Sequence, residues 1–256
     1  MSLTFPGGPL ASDPPAHTNY TIEGPKHRLL LHPFPRRVRA RFAGETVLDS
    51  TRGALLHESQ ILPRLYVPLE DLRPDLLERT DHATHCPFKG NASYWSVRVG
   101  DRVAENAVWA YENPLPESEW LRGLVSVYPE LMDEWFDEDE QVFRLRDPYH
   151  RVDARRSSRR IEVRHDGQLV ARSDHPIVVH ETGLPLRFYL AREDVDAALV
   201  RSETTARCPY KGEATYWSLD GVDDVAWSYE APLESMLVAR GNVCFDAEKV
   251  EVREVA

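Results

Sequence analysis

Three absences narrow the reading of this 256-residue chain before any motif is considered. Cysteine is scarce: Cys86, Cys208 and Cys244 are too few, and odd in number, for a disulfide framework. No apolar run approaches the ~20 residues of a membrane-spanning helix. Residues Met1 to Tyr20 lack the basic start and apolar stretch of a secretory signal. A reduced, cytoplasmic protein is therefore expected. Positive charge is also short, with a formal net charge of −11. Partners held by basic surfaces, nucleic acid and anionic membrane, are not expected. Lysine is rarer still: the chain is rich in arginine but has only Lys26, Lys89, Lys211 and Lys249.

What the chain does contain is itself, twice. Residues 86–96 read CPFKGNASYWS and residues 208–218 read CPYKGEATYWS, identical at eight of eleven positions. Downstream, Trp109-Ala110-Tyr111-Glu112 is answered by Trp227-Ser228-Tyr229-Glu230, each followed by x-Pro-Leu. Upstream, His57-Glu58, Arg64-Leu65-Tyr66 and Glu70-Asp71 return as His180-Glu181, Arg187-Phe188-Tyr189 and Glu193-Asp194. The offset drifts from 123 to 122 to 118, as loop deletions between two copies of one fold would produce.

The expected organisation is a proline-rich arm over 1–36, a first repeat over 37–130, a linker over 131–158 and a second repeat over 159–256. Proline density in the arm predicts extended or irregular backbone. Leu131, Met132, Trp135 and Phe136 have roughly helical spacing. The arginines from Arg144 to Arg160 read as a solvated linker, or as partners of acidic segments. Within each copy, short alternating stretches predict strands. Val38–Phe42 turns at Ala43-Gly44, and Ile161–His165 turns at Asp166-Gly167. Short helices are predicted over 69–77 and 194–200. The fold class is mainly β: two tandem small domains, each with about seven short strands and a short helix.

The pattern Thr84-His85-Cys86-Pro87-Phe88-Lys89-Gly90, Tyr94-Trp95, Trp109-x-Tyr111-Glu112-x-Pro114-Leu115, repeated from Cys208 to Leu233, resembles domain of unknown function family 427. Asp147-Pro148-Tyr149-His150-Arg151-Val152-Asp153 resembles the junction of its two-copy members. The resemblance implies a β-tent-like fold and no established activity; a nucleotidyltransferase label attaches to the family. Metal-dependent nucleotidyl transfer needs paired carboxylates and a phosphate-cradling loop. Asp194 and Asp196, or Asp137 and Asp139, supply pairs without such a loop. β-Tent relatives often carry zinc on two Cys-x-x-Cys knuckles, which this chain lacks; neither a metal nor a cofactor is expected.

Lys89 and Lys211 occupy equivalent places, where an arginine-rich chain kept a compact, rotatable donor. They read either as ligand contacts or as buried ion pairs, with Glu112 and Glu230 as candidate partners. Cys86 and Cys208 read as small buried side chains or as nucleophiles. His82, His85 and Cys86 form a possible metal cluster without a counterpart in copy two. One member of each His-Glu pair, 57–58 and 180–181, should face inward. Trp109 with Tyr111, Trp227 with Tyr229, Arg64 with Tyr66, and Arg187 with Tyr189 share strand faces by the period of two. They are expected to wall a pocket beside the lysines.

The leading expectation is binding of an unidentified small polar or anionic molecule in one or both repeats. An enzyme using Lys, His, Glu or Cys is the alternative, and an interaction module with self-association the second.

Overall fold

The computed structural model describes residues 3–4, 8, 10–11, 17, 19–21, 23–219 and 221–255. Pro6, Pro9, Pro14 and Pro15 of the arm lie outside them. The chain divides into two units between Asp147 and Pro148.

The first unit contains β1 (Leu29–Phe34), β2 (Val38–Phe42), β3 (Glu45–Ser50), β4 (Gly53–Glu58), β5 (Ile61–Pro68), β6 (Leu77–Cys86), β7 (Gly90–Val99), β8 (Arg102–Ala110), β9 (Leu124–Val127), β10 (Glu134–Asp137) and β11 (Glu140–Val142). Seven of these form an antiparallel sheet in the order β1-β4-β5-β9-β8-β7-β6, and four form a second in the order β11-β10-β2-β3. The second unit contains β12 (Val152–Arg156), β13 (Arg160–His165), β14 (Gln168–Ser173), β15 (Ile177–Glu181), β16 (Arg187–Leu190), β17 (Val200–Cys208), β18 (Gly212–Leu219), β19 (Val222–Ser228), β20 (Val243–Phe245) and β21 (Glu251–Val255). Its sheets, β12-β15-β16-β20-β19-β18-β17 and β14-β13-β21, repeat the first topology strand for strand, β11 excepted.

The duplication extends to irregularities. Both predicted hairpins turn through two residues of positive φ, Ala43-Gly44 and Asp166-Gly167, the geometry that matches strand twist. A bulge follows Ala40 in β2 and Val163 in β13. Asn106 and Asp224, at bulges in equivalent strands, share φ of 52°. Alternation explains the faces: Val38, Ala40 and Phe42 are buried while Arg39 and Arg41 reach outward.

Each unit has two cores. One lies where the small sheet covers the large one, around Val38, Val47, Leu48, Val97 and Val108 in the first unit and Ile161, Val163, Ala171 and Val225 in the second. The other is aromatic, around Tyr66, Tyr94, Trp109 and Tyr111, and around Tyr189, Tyr229, Met236 and Cys244.

Four expectations need correction. The end of the arm is strand β1, paired with β4 from Leu29↔Glu58 to Phe34↔Gly53. The stretch with helical spacing is β10 and β11: Trp135 is buried opposite Ala40, and Phe136 lies under the Arg39 guanidinium, 5.0 Å from ring to charge. Its acidic residues suit the basic strand beside it, with Glu134 on Arg41 at 3.1 Å and Asp139 on Arg39 at 2.8 Å. The far end of the presumed linker is strand β12: Arg155 lies within it, Arg151 directly precedes it, and both share Asp153. The short helices are 3₁₀ turns, Leu69–Asp71, Pro74–Leu76 and Arg192–Asp194. Pro74 and the β-branched Val195 disfavour longer helix, and Leu72 and Val195 instead bridge to Leu48 and Ala171. Each repeat therefore has more strands than the seven expected: the first and last strands of the first repeat lie in the segments taken for arm and linker, and the second repeat gains β12 from the presumed linker and β21 at its end.

Candidate functional site

The lysine loop is held by its own backbone. In the turn after β6, the Lys89 carbonyl accepts from the Leu115 amide at 3.1 Å; Lys211 and Leu233 repeat the bond at 3.1 Å. The following glycines explain the Lys-Gly pair. Gly90 has φ of +97° and Gly212 of +105°, and an added Cβ would sit 3.3 Å and 3.2 Å from the carbonyl oxygens of Asn113 and Ala231.

Thus fixed, each lysine turns inward. The Lys89 ammonium, buried, forms an ion pair with Glu58, and Lys211 bonds Glu181 at 2.5 Å. The second carboxylate oxygen of each glutamate meets a histidine: His27 Nε2 at 2.8 Å from Glu58, and His150 Nε2 at 3.0 Å from Glu181. The residue before the lysine packs on that histidine, Phe88 stacked on His27 at 3.7 Å and Tyr210 tilted against His150 at 4.3 Å. Three separate segments in each repeat thus assemble the same His–Glu–Lys cluster.

The lysine partners differ from those expected. Glu112 is held by Arg79 and Ser93, both at 2.6 Å, and Glu230 by Arg192 at 2.8 Å and Ser228 at 2.6 Å. Of each His-Glu pair, the glutamate faces inward; His180 is exposed, whereas His57 is buried. His27 and His150 were not among the expected residues. Their signal was the His-Arg dipeptide at 27–28 and 150–151, at the same offset of 123 as the glutamates.

The aromatic residues gather beside this cluster, mostly as core. Tyr66, Trp109, Tyr111, Tyr189 and Tyr229 are buried, and Trp227 is half-buried. Trp109 Nε1 donates to the Tyr66 hydroxyl at 3.3 Å, and Trp227 Nε1 to the Tyr189 hydroxyl at 2.9 Å. The Arg187 guanidinium lies 5.4 Å from the Trp227 ring, and the Arg64 charge reaches the Tyr66 phenol. Lys89 Nζ lies 5.8 Å from the Tyr111 ring centre. Burial, reinforced by neighbours including the Glu58 or Glu181 carboxylate, holds the phenols of Tyr66, Tyr111, Tyr189 and Tyr229 well above the ordinary tyrosine value. These hydroxyls stay protonated, and those of Tyr66 and Tyr189 accept the indole hydrogen bonds. Among the described residues, Tyr111 and Tyr229 hydroxyls make no hydrogen bond to protein, and each lysine ammonium has one acceptor for its three donors.

Cys86 and Cys208 are half-buried at the strand ends, and burial pushes the Cys244 thiol up to about 12. His82 packs on Tyr94 and His85 bonds Asn91 at 2.7 Å; among the described residues no His/Cys/Asp/Glu group is arranged to hold a metal. Asp137 is taken up by Arg36 at 3.1 Å.

Burial alone would raise the Glu181 carboxyl, but the His150 hydrogen bond and the Lys211 charge outweigh it and hold the group below the usual range. Its stabilising contribution is therefore complete above the unfolded value of about 4.3 and is lost as pH falls through the lower folded value. Urea titrations between pH 6 and pH 3 should show the second repeat losing stability in that window, with a flatter profile for Glu181→Gln.

The sequence model of the Domain of unknown function (DUF427) matches residues 30–138 and 153–256. The chain belongs to this family. Both DUF427 segments begin within the first strand of a large sheet, β1 or β12, and so include the edge strand that carries the repeated pairing. A comparison with curated proteins finds no match. Among the described residues, no helix is long and apolar enough to cross a membrane.

Proposed function

We propose that each repeat binds a small polar or anionic molecule at its His–Glu–Lys cluster, between the ammonium and the tyrosine hydroxyls. The observation that carries this reading is the surplus of donors. A lysine ammonium held by a single carboxylate, buried at Lys89 and part-buried at Lys211, beside protonated phenols with no protein acceptor among the described residues, leaves more donors than protein acceptors. A carboxylate, phosphate or carbonyl oxygen supplies them. The ligand class follows from that shortage, with the half-buried Trp227 and Tyr216 as apolar walls in the second repeat. The same environment argues against general-base catalysis by the tyrosines, since none of them ionises near neutral pH.

A second reading is a structural clamp, favoured by the complete use of both glutamate oxygens in each repeat. Thermal-shift titration separates the two. The panel is inorganic phosphate, short mono- and dicarboxylates, amino acids and nucleotides, tested on wild type and on Tyr111→Phe/Tyr229→Phe. The substitutions remove hydroxyls without protein partners, so the unliganded midpoint should stay within about 0.5 kcal/mol of wild type. A ligand present at a hundred times its Kd adds about 2.7 kcal/mol, roughly 10 °C for a repeat of this size. The proposal expects such a shift in wild type and its loss in the variant. No shift with any compound, or an equal shift in the variant, favours the clamp.

A further inference from the structure

The opposite face of the second repeat carries a second feature. Strands β12 and β15 pair with Asp153 opposite His180 and Arg155 opposite Val178. By the period of two, Val152, Ala154, Ile177, Val179 and Glu181 point to the aromatic core, while Arg151, Asp153, Arg155, Val178 and His180 point outward. The outward set, with Arg159, Leu184 and Leu186, lines a cavity of about 600 Å³, within the range of small-molecule sites.

Its charge runs against that of the chain. Three arginines and one aspartate line it: Arg151 lies 2.7 Å and Arg155 3.3 Å from Asp153, while Arg159 reaches Glu254, outside the lining, at 3.4 Å. Asp153 and the Ala154 carbonyl, which accepts from Arg155 at 2.9 Å, cannot use all ten N–H donors of Arg151 and Arg155. The leucines are exposed, so the cavity has a cationic side and an apolar side.

The first repeat shows the same face closed. Its equivalents at the offset of 123 are Arg28, Leu30, His32 and Arg36, in place of Arg151, Asp153, Arg155 and Arg159. There Arg28 donates to the backbone carbonyls of Leu10 and Ala11, and His57, equivalent to the exposed His180, is buried. One repeat therefore covers the face with oxygen acceptors from its own backbone. The other leaves it open and replaces Leu30 and His32 by charged residues.

We propose that this cavity of the second repeat binds an organic anion, a carboxylate or phosphate ester joined to an apolar body about the size of one aromatic ring. Guanidinium groups match carboxylate and phosphate oxygens in paired hydrogen bonds, and Leu184 and Leu186 take the apolar part. The site is separate from the Lys211 cluster, which lies on the other face of the same strands.

Isothermal titration of the full chain with phenyl phosphate tests it, with inorganic phosphate and phenol as the two half-ligands. The variants are Arg151→Gln/Arg155→Gln, both largely exposed side chains, and Tyr229→Phe, which alters only the inner cluster. Saturable binding of phenyl phosphate, tighter than either half-ligand, weakened at least tenfold by the arginine pair and unchanged by Tyr229→Phe, is the expected result. Three results overturn the proposal: no binding, binding indifferent to the arginine pair, or binding of inorganic phosphate as tight as that of the ester. Binding lost only in Tyr229→Phe likewise overturns it while supporting the inner site.

Discussion

Lys89→Met is expected to lower the unfolding free energy of the first repeat by about 3–5 kcal/mol, because it strands the Glu58 carboxylate in a buried site with only His27 for company. The loss is large because of what remains, not because of what the ion pair itself contributes. Removing two charges from water costs several kcal/mol each, and their attraction does little more than return that cost. Glu58→Met in the same background should therefore recover much of the loss. Urea denaturation of the two single variants and the double closes the cycle. Single variants within 1 kcal/mol of wild type would show that the pair is solvated and that the cluster is not the buried site described here. The same cycle on Lys211 and Glu181 should give a smaller effect, since the Lys211 side chain is 15% exposed against 8% for Lys89.

Tyr189→Ala should cost the second repeat about 3–5 kcal/mol, the range for emptying a large buried ring. Tyr189 is 1% exposed, packs against Tyr229 at a centroid distance of 6.4 Å, and accepts the indole hydrogen bond of Trp227. Tyr189→Phe isolates that last contribution. It keeps the ring and leaves a half-buried indole N–H without its acceptor, a loss of about 1–2 kcal/mol. Chemical denaturation followed by tryptophan fluorescence reads both, because Trp227 reports on the same core. An alanine variant within 1 kcal/mol of wild type would contradict a packed core at this position.

These rings also show what the sequence could convey about the site. The two-residue period placed Trp109 with Tyr111, and Arg187 with Tyr189, on shared faces, and self-similarity placed Lys89 and Lys211 together with them. What spacing along the chain could not convey was which side of a face is packed: indole and phenol groups read equally well as walls or as core until the opposing strands are in place. The lysine partners were misread for a related reason. Glu112 and Glu230 stand within the repeated motif, while Glu58 and Glu181 come from hairpins 31 and 30 residues upstream of the lysines. Pairing across that distance depends on sheet order, which no local pattern encodes. Proline density similarly hid β1. An edge strand tolerates Pro33, because the missing N–H lies where no second neighbour needs it. His27 was lost with that strand, although its repeat at His150 is visible once both glutamates are known. The fold was more legible than the site, since alternation and two-residue turns act locally.

The scarcity of lysine offers the most direct test of the account. With amine nitrogen labelled in lysine alone, only four side-chain ammonium signals exist, from Lys26, Lys89, Lys211 and Lys249. The two held on Glu58 and Glu181 should exchange protons with water slowly and be observed apart from the others. Titrating the full chain with whichever anion gives the largest thermal shift should move the Lys89 and Lys211 signals together with saturation and leave Lys26 and Lys249 unmoved. Signals of Lys89 and Lys211 that stay fixed while the protein is saturated would place the ligand elsewhere and leave the His–Glu–Lys cluster a clamp.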